Sequence, residues 1–464
     1  MKKTKIICSI GPSSCDPLVM KEMVLNGMNV ARINFSHATE EEKKGVVRAV
    51  KEVRKMTGKN VAILYDTKGP EFRNGLLEND FINLVEGNKI RIVKEDVLGN
   101  EERFSVNHPV AIDSLKVGSV ILLENGLMKL EVISKEKDGV TCNVINGGIL
   151  GNKKSLSVPG VNLNIPFISS QDKKDIIYAI THDADFIALS FVSDKEDVLE
   201  VRKILEAYNN KVLLISKIES IAGINNLKEI VEVSDGIMVA RGDLGVEAPM
   251  EDLPYLQRLI IDECRLQGKI AIVATEMLES MKKKARPTRA EVSDISTAVM
   301  NGADAVMLSG ETTTGKFPAE AVRYMASVCE SAERYVNKNV NFNNVSSDEI
   351  GAISSSVVEA AKLLEAKVIV AATISGLTAR VISNLRSSSI ILATCTKDAV
   401  ARSLALNYGV YPKVTKVYET TDEIVKDGVL GAKEFMNLNK DDVVIVTGGF
   451  PRNQKTNFMK IERI

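Results

Sequence analysis

The chain has 464 residues, a length suited to about three domains. Hydrophobic residues make up 45% and charged residues 26%, and 60 Lys plus Arg against 61 Asp plus Glu leave a formal net charge of -1. That balance is ordinary for a soluble globular protein and excludes a bulk electrostatic reason for a nucleic-acid or anionic-membrane partner. Six cysteines, at 8, 15, 142, 264, 329 and 395, show no metal-ligand or redox spacing. They read as reduced thiols of a cytoplasmic protein. Three histidines are too few for a His-rich metal site, so any metal is expected to be held by oxygen ligands. No apolar run approaches the roughly 20 residues that cross a bilayer. Only three apolar residues follow the basic start before Ser9, which argues against a signal peptide.

In chain order, short apolar runs predict strands at 5–10, 30–35, 61–66, 186–191, 212–217, 236–240, 270–275 and 305–309. Most lack strict alternation and are rich in Ile, Val and Ala, as in parallel strands covered on both faces. Helical periodicity fills intervening segments at 46–56, 196–208, 253–266, 289–301 and 319–335. Eight strands alternating with helices predict an α/β fold built on a (β/α)8 TIM barrel, in preference to an open doubly wound sheet.

About 100 residues separate the 61–66 strand from the helix near 172–180, far beyond an ordinary loop. Within them, β-type runs at 89–93, 106–110, 119–123, 127–133 and 140–144 are spaced by Gly and Asn. Residues 71–167 are therefore predicted to form a small β domain, a β-barrel lid, inserted at the top of the third barrel strand. Its position favours a lid that excludes water over a surface decoration. The barrel then occupies 1–70 and 168–340. From 341 a polar Asn/Ser stretch leads into a C-terminal α/β domain, 341–464, with a helix at 349–366 and strands at 368–372, 390–394, 410–414, 443–447 and 458–461.

A barrel gathers its active site where the C-terminal ends of its strands converge. That rule groups Arg32, Asn34, Ser36 and His37 after the second strand, Asp66 and Thr67 after the third, and Lys217 and Glu219 after the fifth. Gly242 and Asp243 follow the sixth strand and Thr275 the seventh. Glu219 and Asp243 are candidates to share one hard cation of the Mg²⁺ type, or each pairs with a neighbouring base or caps a helix. Lys217 lies two residues before Glu219, so both point to one face of the strand. Its amine could steady developing negative charge or form a Schiff base, and the adjacent carboxylates favour the protonated form and the first role. Arg32 offers a bidentate fork to phosphate or carboxylate, with Arg73 reaching the same space from the lid. The turn Arg241-Gly242-Asp243-Leu244-Gly245 presents backbone N–H groups to an anion. Asn34, Ser36, Asp66 and Thr67 suit a large monovalent cation or form an internal polar network. His37 either contacts a nucleotide or packs locally.

These residues sit in longer strings, and the strings resemble the pyruvate kinase family. They are Arg32-Ile33-Asn34-Phe35-Ser36-His37, Asp66-Thr67-Lys68-Gly69-Pro70-Glu71 and Ser216-Lys217-Ile218-Glu219. Further matches are Met238-Val239-Ala240-Arg241-Gly242-Asp243-Leu244-Gly245-Val246-Glu247, Arg286-Pro287-Thr288-Arg289-Ala290-Glu291 and Asp304-Ala305-Val306-Met307-Leu308-Ser309-Gly310-Glu311-Thr312. The resemblance covers essentially the whole chain. It implies phosphoryl transfer from phosphoenolpyruvate to ADP, giving pyruvate and ATP, the last step of glycolysis. It further implies Mg²⁺ (or Mn²⁺) on Glu219 and Asp243, and K⁺ on Asn34, Ser36, Asp66 and Thr67. Lys217, Arg32 and Arg73 would stabilise the transferring group, Thr275 would bind the substrate carboxylate near the enolate's proton path, and Lys154 would contact nucleotide phosphate. Glu71 matches the potassium-dependent type, and a homotetramer is implied.

The chain departs from the family pattern at Glu276, usually Gln, and at Ala222, Ser193 and Ser387, none of them a proposed metal ligand. The terminal domain resembles the family's effector domain. Its loop Thr373-Ile374-Ser375-Gly376-Leu377-Thr378 offers Thr373, Ser375, Gly376 and Thr378 to a phosphorylated-sugar effector, or is a polar turn that starts a helix. Two other functions compete: a metal-dependent aldolase or phosphonomutase acting on an enol or keto acid, and a silent phosphometabolite-binding regulator. ADP-dependent turnover separates the first from a kinase, and the intact set of Lys217, Arg32, Glu219 and Asp243 argues against the second.

Overall fold

A computed structural model describes residues 1–36, 38–336, 348–451 and 454–464. Eight parallel strands, β1 (Lys5–Ser9), β2 (Val30–Asn34), β3 (Ala62–Asp66), β4 (Phe186–Leu189), β5 (Leu213–Ile218), β6 (Gly236–Ala240), β7 (Ile270–Ala274) and β8 (Ala305–Leu308), close into a barrel in sequential order. Their side chains divide with a period of two. Ile7, Val30, Leu64, Ala188, Met238, Ile272 and Met307 fill the interior. Ile6, Ile33, Ile63, Ile187, Val239, Val273 and Val306 face the surrounding helices. This double burial is why the runs read as continuously apolar.

The helices begin and end on local signals. Glu40–Thr57 has a Thr39/Glu42 capping box and stops at Gly58, whose φ is 65°. Arg289–Asn301 is bounded in the same way by Thr288/Glu291 and Gly302. Ser170–Thr181 starts with a Ser169/Asp172 box, and Asp172 Oδ1 also accepts the Gly69 N–H at 3.2 Å. Gly69 has φ 69°, and a Cβ there would lie 2.7 Å from the Ser190 carbonyl oxygen, so only glycine turns the chain out of the barrel at this point.

That turn leads into the inserted domain, a six-stranded and a two-stranded sheet around a separate core that includes Phe104, Ile121, Leu123, Leu130 and Val144. The predicted strands at 89–93, 119–123, 127–133 and 140–144 are present to within a residue or two. The expected strand at 106–110 is not. Its place is taken by an isolated bridge between Val106 and Asn74 and a 3₁₀ helix, Pro109–Ser114. Pro109 has no N–H for a ladder and its fixed φ suits the first turn of a helix.

The C-terminal domain is a five-stranded sheet in the order Val410–Val414, Ile390–Cys395, Val368–Ala372, Val443–Gly448 and Phe458–Arg463, with only the last strand antiparallel. Its expected start at 341 lies outside the described residues. Among the described residues no helix is long and apolar enough to cross a membrane, and all six cysteines are free thiols.

Among the described residues, ionic and apolar contacts help fasten this domain to the barrel. Arg402 meets Asp185 at 2.8 Å and Asp183 at 3.2 Å, and Arg54 meets the same two carboxylates at 3.4 and 2.6 Å. Asp185 also accepts the Ile63 N–H of β3 at 2.9 Å. Arg386 pairs with Asp304 at 2.9 Å. Ala405 and Leu406 enter the barrel's interior cluster. Removing the buried Asp185 carboxylate leaves both arginines to Asp183 alone and the Ile63 N–H without its acceptor. Asp185→Ala is therefore expected to cost about 3 kcal/mol, measured as a lower urea midpoint; an unchanged midpoint would show that the arginines find other acceptors.

Candidate active site

The strand register sets the site. Asn34 stands opposite Asp66, and Asp66 opposite Ala188, so the ends of β2, β3 and β4 converge on one carboxylate. Asp66 Oδ2 accepts from Arg32 Nε at 2.7 Å, and Oδ1 meets Lys217 Nζ at 3.2 Å. Arg32 Nη1 donates to Ser9 Oγ at 2.7 Å. Burial alone would raise the Asp66 carboxyl, but the Arg32 and Lys217 charges outweigh it and hold the group below its usual range.

Lys217 has three oxygen partners: Ser190 Oγ at 2.6 Å, Glu219 Oε1 at 3.0 Å and Asp66 Oδ1. Burial opposes the ammonium, but Asp66 and Glu219 overcome it and push the pKa upward. The amine is therefore held protonated, a form without the lone pair that nucleophilic attack needs. Ser190 was missed in the sequence reading. Its hydroxyl donates to the Thr67 carbonyl at 2.8 Å, and its N–H donates to Thr67 Oγ1 at 3.2 Å. The strand-end rule, applied to the fourth strand, would have found it.

Glu219 follows β5 and is buried. Its Oε2 accepts the Phe191 N–H at 2.6 Å, which Phe191 presents from a left-handed conformation, φ 59°. Burial is the main reason its carboxyl rises to about 7; Lys217 opposes this, and the Asp243 and Asp66 carboxylates add to it. Asp243 sits exposed in the first turn of the helix Arg241–Glu247.

Gly242 N–H donates to Thr275 Oγ1 at 2.9 Å, and Thr275 Oγ1 donates to the Ala274 carbonyl at 2.5 Å. Thr275 and Glu276 have φ 72° and 54°, a strained pair for non-glycine residues. Arg241 holds this corner. Its guanidinium donates to the Thr275 and Ala274 carbonyls at 2.6 and 3.2 Å and pairs with Asp294 at 2.6 Å. Arg241 thus faces inward as a positioning group, while Gly242 and Asp243 face outward.

The inserted domain forms the opposite wall of a cleft of ≈ 590 Å³, in which Arg73, Lys154 and Glu124 confront Glu219 and Asp243. Both lid cations are already paired within the lid. Arg73 makes a two-point contact with Glu71 at 2.8 and 3.0 Å and donates to the Lys153 carbonyl at 2.7 Å. Lys154 Nζ lies 2.6 Å from Glu124 Oε1.

Asn34, Ser36, Asp66 and Thr67 come together at the β2 and β3 ends. Asn34 Oδ1 accepts the Ser36 N–H at 3.0 Å, and Thr67 Oγ1 accepts from Ser190 as above. His37 lies outside the described residues. In the C-terminal loop, Thr373 Oγ1 accepts the Gly376 N–H at 2.9 Å, and Thr378 bonds Thr456 hydroxyl to hydroxyl at 2.7 Å. Ser375 is exposed, and Gly376 has φ 89°. Among the described residues no group of three or more His, Cys, Asp or Glu is arranged to hold a metal ion. Because Asp66 serves two buried cations, Asp66→Ala is expected to destabilise the protein by about 3–5 kcal/mol. Urea unfolding of this variant and of Asp66→Ala/Lys217→Met checks the cause: the double variant should recover part of the loss.

The description "Pyruvate kinase, barrel domain" matches residues 1–322, and "Pyruvate kinase, alpha/beta domain" matches residues 351–462. A pyruvate kinase of Staphylococcus saprophyticus is 44% identical over 473 aligned residues, covering 100% of this chain and 81% of the relative. One of Geobacillus stearothermophilus is 43% identical over 472, covering 100% and 80%. The crystal structure of a pyruvate kinase from Cryptosporidium parvum superimposes with a TM-score of 0.95 at 38% identity, covering 100% of this chain and 96% of that one. With agreement along the full length in both sequence and fold, this chain belongs to the pyruvate kinase family and is a phosphotransferase.

Proposed function

We propose that this chain transfers the phosphoryl group of phosphoenolpyruvate to ADP, giving pyruvate and ATP, with Mg²⁺ (or Mn²⁺) and K⁺. The observation that carries the reading is the pair of cations, Arg32 and Lys217, shared by Asp66 beside the Glu219 and Asp243 carboxylates. Phosphoryl transfer asks for alignment and charge neutralisation rather than a protein nucleophile, and among the described residues this site offers fixed cations.

The donor set fits a divalent cation. Two carboxylates on one cleft wall, one of them destabilised as an anion by burial and by its acidic neighbours, gain from a hard positive charge between them. When bound there, Mg²⁺ supplies charge neutralisation for the substrate's carboxylate and phosphate oxygens. Arg32 uses Nε and Nη1 within the protein, and its Nη2 has no protein partner among the described residues, leaving it for the phosphoryl oxygens. Lys217 offers its charge from the side of Asp66. Arg73 and Lys154 reach the transferring group and the nucleotide phosphates once they exchange Glu71 and Glu124 for those anions. The enol oxygen–phosphorus bond breaks as a β-phosphate oxygen of ADP bonds to phosphorus. Carbon 3 of the resulting enolate then takes a proton through the Thr275 hydroxyl and water. Asn34, Ser36, Asp66 and Thr67 supply the oxygens for K⁺.

Homotetrameric assembly and a phosphorylated-sugar effector accompany the family reading. With the Thr373 and Thr378 hydroxyls turned inward, such an effector would meet the Ser375 hydroxyl and the loop's backbone.

Pyruvate release from phosphoenolpyruvate tests the reading. Turnover is expected to require ADP and Mg²⁺ and to fall when K⁺ is omitted; no ADP-dependent pyruvate would overturn it, and indifference to K⁺ would remove the monovalent site alone. The cation takes the ionised form of Glu219, whose carboxyl sits near 7 in the metal-free protein. Calorimetric Mg²⁺ affinity is therefore expected to rise about tenfold per pH unit below that value and to level off above it. Glu219→Gln should abolish the slope; a slope kept in that variant would place the titrating group elsewhere.

A further inference from the structure

The inserted domain is joined to the barrel where the chain leaves and returns. Away from the Lys68–Glu71 hinge contact, one side-chain hydrogen bond joins the two among the described residues: the Ser157 hydroxyl donates to Glu247 Oε1. Beside it, the turn Glu124-Asn125-Gly126, with φ of 49°, 57° and 85°, brings the lid's tip against the barrel, so that a Cβ at Gly126 would lie 3.8 Å from Val246 Cγ1.

Both barrel contacts fall on the last two residues of the helix Arg241–Glu247. Asp243 and Glu247 are four apart and share one helix face, and both line the cleft. Arg241 roots the helix's first residue in Asp294 and in the Ala274 and Thr275 carbonyls. At the far end Leu244 and Ala248 pack into the barrel core, but among the described residues the one side-chain hydrogen bond from Glu247 goes to the lid. We infer that Glu247 is a positioning residue that, by accepting from Ser157, seats the lid on the helix presenting Gly242 and Asp243, so that closing the lid and setting those two groups are one event. The inference rests on the phosphoryl-transfer reading of the site and deepens it.

The chemistry of Glu247 supports this role. Ser157 is its one side-chain hydrogen-bond partner among the described residues. Burial raises its carboxyl, the Ser157 bond opposes that rise, and the Asp243 charge adds to it. A carboxylate placed in that setting is a poor space-filler, since desolvation costs more than one hydrogen bond returns. It suits a latch that must open again, because the open lid rehydrates it and product release needs the open state.

Amide hydrogen exchange and steady-state kinetics on the full chain test the latch. Ser157→Ala and Glu247→Ala are each expected to speed substrate-free exchange at 156–158 and 243–247 about tenfold and to lower kcat/KM for ADP about tenfold. The double variant should be no worse than the worse single one, because both remove the same contact. Glu247→Gln keeps the accepting oxygen and should stay within about twofold of the parent. Unchanged exchange in both alanine variants, faster exchange with unaltered kinetics, or effects that multiply in the double variant would each overturn the inference. If the parent chain turned over no phosphoenolpyruvate, the functional reading would fall alone, and the exchange arm would still decide whether the latch exists.

Discussion

Two cations that repel one another are held a few ångströms apart because the Asp66 carboxylate lies between them, taking Arg32 on one oxygen and Lys217 on the other. Without that carboxylate neither charge has reason to stay buried at the strand ends. Asp66 is the last residue of β3, and the chain leaves for the lid three residues later at Gly69. The same strand carries the Ile63 N–H that Asp185 accepts, so β3 also touches the ionic cluster shared with the C-terminal domain. One strand thus connects the charge centre, the lid and the terminal domain.

The electrostatics of the site follow from that arrangement. Arg32 and Lys217 bring two positive charges, and Asp66, Glu219 and Asp243 three negative ones, when all are ionised. A divalent cation bound there, as proposed, would change the sign of the total in favour of an anionic ligand. Non-glycine residues in left-handed conformations occur where strands end, at Phe191 after β4 and at Thr275 and Glu276 after β7. They turn the chain outward abruptly and leave the Phe191 N–H for Glu219 and the Thr275 hydroxyl for Gly242. Local strain is the means by which short strands place polar groups so close together.

Much of this was legible in the linear chain. The barrel strands were found because each is buried on both faces and bounded by capped helices, and the strand-end rule gathered Arg32, Lys217, Glu219, Asp243 and Thr275. What escaped depends on register or on contact between distant segments. Asp66 was read as a monovalent-cation ligand or a member of an internal polar network; its sharing by two cations depends on its alignment with Asn34 and Ala188, which no local pattern encodes. Ser190 carries no charge and no motif of its own. Arg241 shares its turn with Gly242 and Asp243, and only the geometry separates the inward group from the outward ones. The misread strand at 106–110 shows apolar content outweighing Pro109 in a sequence reading, where backbone chemistry decided otherwise.

Ala405 and Leu406 lie in the same apolar cluster as Ile7, Phe186, Ile270 and Ala305, so the floor of the barrel is made by the terminal domain. During synthesis the last barrel strand leaves the ribosome roughly 100 residues before that floor exists. At about 5–20 residues per second the nascent barrel waits ~5–20 s with its underside open to water. The barrel is therefore completed only once Leu406 has been made, and a ribosome that stalls before that point leaves an apolar opening of the kind that chaperones bind.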